Sequence, residues 1–196
     1  MTKRQRNSLI IGGILFVLIL FFGISYNGLV QKEEDVKKAW AQVETVYQRR
    51  ADLIPNLVNT VKGVAEYEQE TLEAVTNARA MANSVKVDPD QLNQANFDVF
   101  NQAQSNLSSS LGRLMVVVER YPELKATQNF SELQQQLEST ENRISVERHK
   151  YSETVNKYNS TLRKAPTNIV GALFGFEEMP YYKADEGAEV APTVDF

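Results

Sequence analysis

Along this chain, a long apolar run gives way to a helical alternation of apolar and polar positions. Residues 9–24 contain no charged side chain, and a basic stretch precedes them. Because a helix needs roughly 20 apolar residues to cross a bilayer, the pattern predicts a basic tail at 1–7 and a transmembrane helix at 8–26. A cleaved secretory signal is the alternative, although the apolar regions of such signals usually run only ~7 to 15 residues.

Beyond residue 27, apolar or small residues recur at steps of three and four. The first stripe comprises Val36, Trp40, Val43, Tyr47, Ile54, Leu57, Val61, Ala65, Leu72 and Val75. This spacing is typical of a helix that packs through one face. The stripe stays in phase across Pro55, so the helix is either kinked there or restarted with Pro55 in its first turn. The sequence leaves this choice open.

Two further helices are predicted after a turn near residue 88. Asp88 and Pro89 have the residue types that cap and begin a helix, here over about 90–120. Tyr121-Pro122 interrupts this helix, and Asn129 with Glu132 resembles the capping pair of a last helix. The last helix continues to Pro166 on the apolar positions Phe130, Leu133, Leu137, Ile144, Tyr151, Val155, Tyr158 and Leu162.

No segment alternates like a strand, so the predicted fold is all-α. We expect the N-terminal transmembrane helix to be followed by an antiparallel bundle of three to four long helices over 27–166. Two architectures fit the pattern: a four-helix bundle broken near Pro55, or a long hairpin of kinked helices. The remaining stretch, 167–196, is predicted to be irregular. Its aromatic residues can pack back on the bundle, sit at a membrane interface or dock on a partner.

Composition and charge restrict the possible functions. A formal net charge of -4 without a basic stripe argues against nucleic acid as a partner. The absence of cysteine excludes disulfides, zinc-thiolate sites and thiol nucleophiles. The single histidine, His149, lacks the Glu-x-x-His spacing of dinuclear metal sites in bundles, and no phosphate-binding loop or nucleophile elbow is present. We therefore expect no enzymatic activity, catalytic residue, metal or cofactor.

Polar residues near the helix breaks are the candidates for a structural or docking role. They are Arg49, Arg50, Asp52, Pro55, Asn56, Tyr121, Pro122, Arg143 and Arg148. One interpretation is a structural fork, in which guanidinium groups tie the region around Pro55 to a neighbouring helix; the other is a polar docking surface. Several arginines have carboxylates nearby in sequence or on the same helix: Asp52 near Arg49 and Arg50, Glu119 near Arg120, and Glu141 and Glu147 near Arg143.

Several strings of residues resemble the bacterial LemA family. They are Tyr26 to Val30, Ala39-Trp40, Arg49 to Val58, Val61 to Gly63, Tyr121 to Ala126, Glu141 to Ile144, Arg148, Asn156 with Tyr158-Asn159, and Pro192 to Phe196. Ser152 departs from the family pattern, which usually has Asn there. The resemblance covers nearly the whole chain after the apolar run. It implies an N-terminal membrane anchor, a helical bundle and a bacterial origin, with no settled molecular activity.

These features predict a non-catalytic, membrane-tethered scaffold or adaptor that acts through protein–protein contacts. We expect the bilayer, an unknown protein partner and a second copy of the chain, in a homo-oligomer, as its partners. The alternative is a ligand-sensing helical domain coupled to the membrane. We expect a single pass through the bacterial inner membrane. The basic tail favours an extracytoplasmic bundle, whereas the family is also described with an extracellular N-terminus, and the orientation stays open.

Overall fold

The structure is a computed structural model that describes residues 3–63 and 68–182, with side chains except at residues 3 and 8. Within these ranges the chain forms helices and no β-strand, which confirms the prediction of an all-α fold. The elements are α1 (Lys3–Lys62), α2 (Gln69–Ser84), a 3-10 turn (Pro89–Gln91), α3 (Gln94–Val118), α4 (Pro122–Lys125), α5 (Gln128–Arg163) and α6 (Thr167–Phe174). The long helices α1, α2, α3 and α5 form the predicted bundle.

Helix α1 carries both the apolar run and one side of the bundle. Large apolar side chains between Leu9 and Leu20 are exposed, those of Phe21 and Phe22 are partly buried, and Leu29 is fully buried. With 60 residues, α1 is about 90 Å long at the helical rise. Its first part is apolar and long enough to cross a membrane. The N-terminal part of α1 therefore fits a membrane anchor.

Helix α1 runs through Pro55 without a restart. Because Pro55 has no N–H, the carbonyl of Ala51 one turn earlier lacks its usual helical donor. Ala51 is buried, and Arg79 of α2 supplies the missing hydrogen bond from its Nε to the Ala51 carbonyl at 2.6 Å. The helix is continuous at its proline because a neighbouring helix satisfies the freed carbonyl.

The first apolar stripe, read as one helix from Val36 to Val75, contains two helices. Helix α1 ends just before Gly63, and α2 folds back along it, so that Arg79 reaches Ala51. Both helices turn an apolar face to the same core, which is why the period alone did not mark the boundary. Ala65, a member of the stripe, lies outside the described residues.

The helix caps differ in detail from the predicted ones. Asp88 caps the 3-10 turn by accepting a hydrogen bond from the Asp90 backbone N–H at 3.0 Å, so it does not start α3. Helix α3 is capped by Asn93, whose Oδ1 accepts from a backbone N–H at 3.0 Å. Helix α5 is capped by Thr127 rather than Asn129. In each case a side chain of the preferred type stands close to the position that was predicted.

Two apolar clusters fill the bundle, one towards the apolar run and one towards the far end. The first surrounds Trp40, whose ring centroid lies 5.0 Å from Phe100 and 5.5 Å from Tyr151. The second includes Leu57 of α1 and Leu107 of α3. Since Trp40 meets Tyr151 while Arg50 meets Glu141 further along, α5 runs antiparallel to α1.

The stretch predicted to be irregular begins with α6. These eight residues are too few to show a period in sequence, and a close approach to α5 fixes them: a Cβ at Gly171 would overlap the Leu162 Cδ1 methyl. Gly175 ends α6 in the left-handed conformation with φ of 75°, which glycine adopts without steric cost. Phe176 then donates its backbone N–H to the Gly171 carbonyl at 3.0 Å, which closes the helix end.

After α6, an extended segment runs along α5. The buried Asn159 side chain donates to the Met179 carbonyl at 2.9 Å and accepts from the Met179 N–H at 3.0 Å. The Tyr151 hydroxyl donates to the Pro180 carbonyl at 3.0 Å, and the Tyr158 hydroxyl donates to the Glu177 carbonyl at 2.9 Å. This segment therefore packs back on the bundle. Residues 183–196, including the string Pro192 to Phe196, lie outside the described residues.

Candidate functional site

A gap separates α3 from α5 over part of their length. Helix α1 packs closely along α5 and α2, and α2 packs along α3, whereas the backbones of α3 and α5 stay apart. The gap has a polar part of about 530 Å³ and an apolar part of about 520 Å³, which share Ser108 and Glu141. We call it the α3–α5 groove; its lining includes Gln104, Ser108, Leu111, Met115, Leu137 and Glu141.

The floor of the polar part is Arg50, whose side chain is only 1% exposed. Its Nη1 donates to the Ser108 hydroxyl and to a Glu141 carboxylate oxygen, each at 2.8 Å. Its Nη2 donates to Oε1 of Gln104 at 2.6 Å and to the Gln104 carbonyl at 3.3 Å. The guanidinium carbon also lies 5.0 Å from the Tyr47 ring centroid. One arginine of α1 thus forms hydrogen bonds with both α3 and α5.

A second arginine and three tyrosines, Tyr47, Tyr181 and Tyr182, also line the polar part. The guanidinium carbon of Arg148 lies 4.3 Å from the ring centroid of Tyr182. Burial raises the pKa of Tyr182 and also that of Tyr47, so both hydroxyls are protonated at neutral pH. The buried hydroxyl of Tyr182 has no hydrogen-bond partner of good geometry among the described residues, although Tyr47 lies close to it. Nε of Arg50 is likewise buried without an acceptor in the described part of the chain.

The apolar part of the groove lies further from the apolar run of α1. Its apolar lining consists of Met115, which is partly exposed, and of Leu111 and Leu137, which are only 8% and 7% exposed, and the polar side chains of Gln134 and Glu138 lie at its edge. Gly112 opens it, because a Cβ built there meets no atom within 4 Å. An apolar strip with polar edges is the lining that accepts an amphipathic helix.

The other candidates near Arg50 face a different groove. Arg49 and Asp52 are exposed and line a space of about 970 Å³ between α1 and the α2–α3 connection, together with Glu44 and Lys86. Asp52 accepts a hydrogen bond from Gln48 at 2.8 Å. Neighbours in sequence therefore lie on two surfaces of the bundle, because successive residues of a helix point about 100° apart.

The remaining candidates lie in three further places. Pro55 and Asn56 lie further along α1, away from the groove lining. The Tyr121 hydroxyl, at the far end of the bundle, donates to Glu68 at 3.2 Å, and the exposed Pro122 starts α4. Arg143 is exposed on α5, whereas Arg148 lines the groove. The structure thus brings together Arg50 and Arg148 and separates the rest.

Glu119, Glu141 and Glu147 form ion pairs with residues other than the arginines named with them above. Glu141 pairs with Arg50 across the bundle at 2.8 Å rather than with Arg143. Arg120 pairs with Glu68 at 3.0 Å, while Glu119 pairs with Lys125 and Glu147 with Lys150. Sequence reasoning also missed Gln104, Ser108, Tyr182 and Arg79. An i, i+4 spacing of Gln104 and Ser108 on the helix that faces Arg50 was the available signal.

The groove is equipped for binding, with hydroxyls, amides and guanidinium groups beside an apolar strip. Among the described residues, no group of three His, Asp or Glu side chains is placed to hold a metal ion. The polar part carries the charges of Arg50, Arg148, Glu141 and Asp98, so its formal charges balance. Such a site favours neutral or zwitterionic polar groups over a strongly charged one.

Comparison with known proteins agrees with the sequence pattern. A family model described as the LemA family matches residues 39–196. The chain belongs to the LemA family. This LemA-family chain is 25% identical over 177 residues to magnetosome protein MamQ 2 of Paramagnetospirillum magneticum, a match that covers 81% of the chain and 64% of that relative. It is 24% identical over 185 residues to Protein LemA of Metamycoplasma hominis, covering 87% of the chain and 80% of that relative.

MamQ of Magnetospirillum gryphiswaldense is 24% identical over 176 residues, covering 80% of this LemA-family chain and 64% of the relative. The chain therefore spans 64% of the length of the MamQ proteins that it matches. The predicted family is confirmed, and family and fold together describe a helical protein whose N-terminal apolar helix fits a membrane anchor.

Proposed function

We propose that this protein is a membrane-anchored, non-catalytic helical scaffold that binds a helical segment of another protein chain in the α3–α5 groove. The observation that carries this proposal is the gap between α3 and α5. Four long helices normally close around their core, yet here α3 and α5 leave a groove that spans two described spaces. The apolar strip between Leu111 and Leu137 would receive the apolar face of the incoming helix.

The polar part of the groove would fix the position of that helix. Hydrogen bonds to Asn101, Gln102 and Glu141 at the edge are of the kind that sets register, whereas the apolar strip supplies most of the affinity. Arg50 holds the floor rigid, because its donors already bind Ser108 and Gln104. A preorganised groove loses less conformational entropy when its partner binds.

The first partner to test is a second copy of the chain. Anchors in one bilayer confine the bundles to a thin layer, which raises their effective concentration, so that weak contacts suffice for lateral self-association. The groove lies on the side of the bundle, where a neighbour standing in the same membrane can reach it. Self-association would therefore place helices of one bundle against the groove of another.

A pair of tryptophan variants tests the groove. Gly112→Trp fills the apolar part, whereas Val116→Trp, one turn further on the same helix, adds the same side chain to a position that is 71% exposed. The oligomer fraction of the full chain in nanodiscs or detergent is measured by light scattering at micromolar concentration. We expect Gly112→Trp to weaken association about tenfold, which equals about 1.4 kcal/mol, and Val116→Trp to leave it unchanged.

Crosslinking in intact cells extends the test to other proteins. Because the chain has no cysteine, Gly112→Cys introduces one thiol at the groove, and mass spectrometry of the bismaleimide adducts identifies what lies there. Val116→Cys is the matched control. A strictly monomeric chain that also gives no more adduct at Gly112 than at Val116 would contradict the scaffold proposal.

A second candidate function is the sensing of a small polar ligand in the polar part of the groove. The specific observation in its favour is that the Tyr182 hydroxyl and Nε of Arg50 are buried with no hydrogen-bond partner of good geometry in the part of the chain that the structure describes. Buried polar groups normally have partners, and a ligand would supply them. Native mass spectrometry of gently extracted full chain tests this: a bound mass that is retained by the protein and lost in Tyr182→Phe supports sensing, and bare protein argues against it.

The side of the membrane is part of the proposal. The basic tail favours an extracytoplasmic bundle, although lysines also follow the apolar run. Protease added to intact cells would cleave the bundle from its anchor in this orientation. Protection in intact cells, followed by cleavage after permeabilisation, would place the bundle in the cytoplasm instead.

A further inference from the structure

Helix α6 lies beside the point where the apolar run of α1 enters the bundle. The ring centroid of Tyr26 lies 4.8 Å from that of Phe174 and 5.8 Å from that of Phe176. Phe21 and Phe22, near the end of the apolar run, are partly buried against the cluster that contains Val170 of α6. Helix α6 therefore lies beside the C-terminal end of the apolar run.

The two sides of α6 differ in what they contact. Val170 and Gly171 are buried against the bundle, and Gly171 approaches Leu162 too closely for a Cβ to fit. The opposite side carries two large apolar side chains that are mostly exposed: Ile169 is 59% exposed and Leu173 67%. Phe174 follows Val170 by four residues and so lies on the bundle side, where it contacts Tyr26 while remaining 53% exposed. A helix of eight residues without a single charge thus presents Ile169 and Leu173 to its surroundings.

Several occupants can cover such an apolar face, and the placement of α6 favours lipid. Exposed apolar side chains grouped on one short helix differ from the isolated exposed residues found on most surfaces. Charged residues lie just outside both ends of α6, with Arg163 and Lys164 before it and Glu177 after it. This alternation of an apolar helix with charged flanks is the pattern of a segment that lies in a membrane interface.

We propose that α6 is a second membrane contact, an interfacial helix whose outer face of Ile169 and Leu173 inserts into the boundary between headgroups and acyl chains. The proposal rests on the membrane anchor in α1. Because Phe174 packs on Tyr26, α6 would brace the base of the bundle against the bilayer. The bundle would then stand at a fixed angle to the membrane rather than swivel on a single helix.

Spin labels on the full chain test this contact directly. The absence of native cysteine allows single-cysteine variants at Leu173, Ile169, Phe16 and Val116, each labelled with a nitroxide in phosphatidylcholine nanodiscs. Relaxation by oxygen, which concentrates in lipid, is compared with relaxation by a water-soluble nickel chelate. Phe16 in the apolar run reports the bilayer, and Val116, 71% exposed on α3, reports water. Far-UV circular dichroism and Trp40 emission check that each variant is folded.

We expect the oxygen-to-nickel ratio at Leu173 and Ile169 to lie well above that at Val116 and below that at Phe16, because an interfacial face is shallower in the bilayer than the middle of the apolar run. A ratio at Leu173 equal to that at Val116, with Phe16 in lipid, would overturn the α6 contact while leaving the anchor intact. Phe16 in water would instead overturn the anchor. Low accessibility to both reagents at Leu173 would show that protein covers this face, which also overturns the proposal.

Discussion

The hydrogen bond from Arg79 to the Ala51 carbonyl predicts a thermodynamic coupling between Arg79 and Pro55. Pro55 removes the backbone donor that would otherwise serve this carbonyl, and Arg79 Nε supplies a substitute at 2.6 Å. Replacing Arg79 by Met keeps the aliphatic stem and removes the donor. In the Pro55→Ala background, residue 55 again has a backbone N–H that can donate to the Ala51 carbonyl. Replacing Arg79 by Met should then change the free energy of unfolding only slightly.

The expected magnitude follows from the burial of Ala51, whose residue is only 3% exposed. A buried carbonyl that is left without a donor costs about 1–3 kcal/mol. We therefore expect Arg79→Met to lower the free energy of unfolding by about 2 kcal/mol in the wild-type background. In the Pro55→Ala background we expect a loss below about 0.5 kcal/mol, the range of ordinary surface substitutions. The coupling energy is thus about 1.5 kcal/mol.

Urea unfolding of the full chain in nonionic detergent measures these four free energies. Far-UV circular dichroism follows the helices, and emission of Trp40, which is buried in the first apolar cluster, follows the core. Arg143→Met, at an exposed arginine of α5, is the control for loss of a guanidinium group. If Arg79→Met costs the same with proline and with alanine at position 55, the compensation of Pro55 by Arg79 is refuted.

Three further predictions use the same unfolding assay. Arg50→Met should lower the free energy of unfolding by about 3 kcal/mol, because the buried Gln104 loses its hydrogen-bond partner. The control Arg49→Met, at an exposed neighbour, should lower it by less than about 0.5 kcal/mol. Equal losses in the two variants would refute the role of Arg50. Asn159→Ala should cost about 3 kcal/mol by removing both bonds to Met179, and faster proteolysis after α6 is the second readout. Burial raises the pKa of Glu44 in the folded chain, and interactions with Trp40 and Lys86 partly offset this rise. The folded state therefore loses stability as the pH rises above the pKa that Glu44 has in the unfolded chain. Glu44→Gln should therefore exceed wild type in stability at about pH 7, with the difference gone near pH 4; a difference that stays constant with pH would contradict this.

The fold class was predictable because its signals are local. An uncharged apolar run long enough to span a bilayer, and apolar stripes with helical spacing, report helices without knowledge of their neighbours. The interruption at Tyr121-Pro122 and the end of the last helix before Pro166 follow from proline stereochemistry alone. Boundaries without such residues were less certain: the α1–α2 turn stayed hidden in a continuous period, and α6 was too short to be seen.

The candidate site is formed by contacts between residues that lie far apart in the sequence, and the sequence alone does not reveal such contacts. Sequence composition pointed to Arg50, but its partners Gln104 and Glu141 lie 54 and 91 residues away. Arg49 and Arg50 have the same side chain, and only the packing of α3 and α5 decides that one is buried and the other faces solvent.

Periodicity by itself determined that helices form and which face of each is apolar, because both properties depend on residues within a few turns. The tertiary structure decided that Arg79 makes a proline tolerable in α1, that α3 and α5 leave a groove, and that α6 lies beside the anchor. These features depend on how apolar faces share one core. The way in which these faces pack depends on contacts between helices, and the residues of a single helix do not determine it.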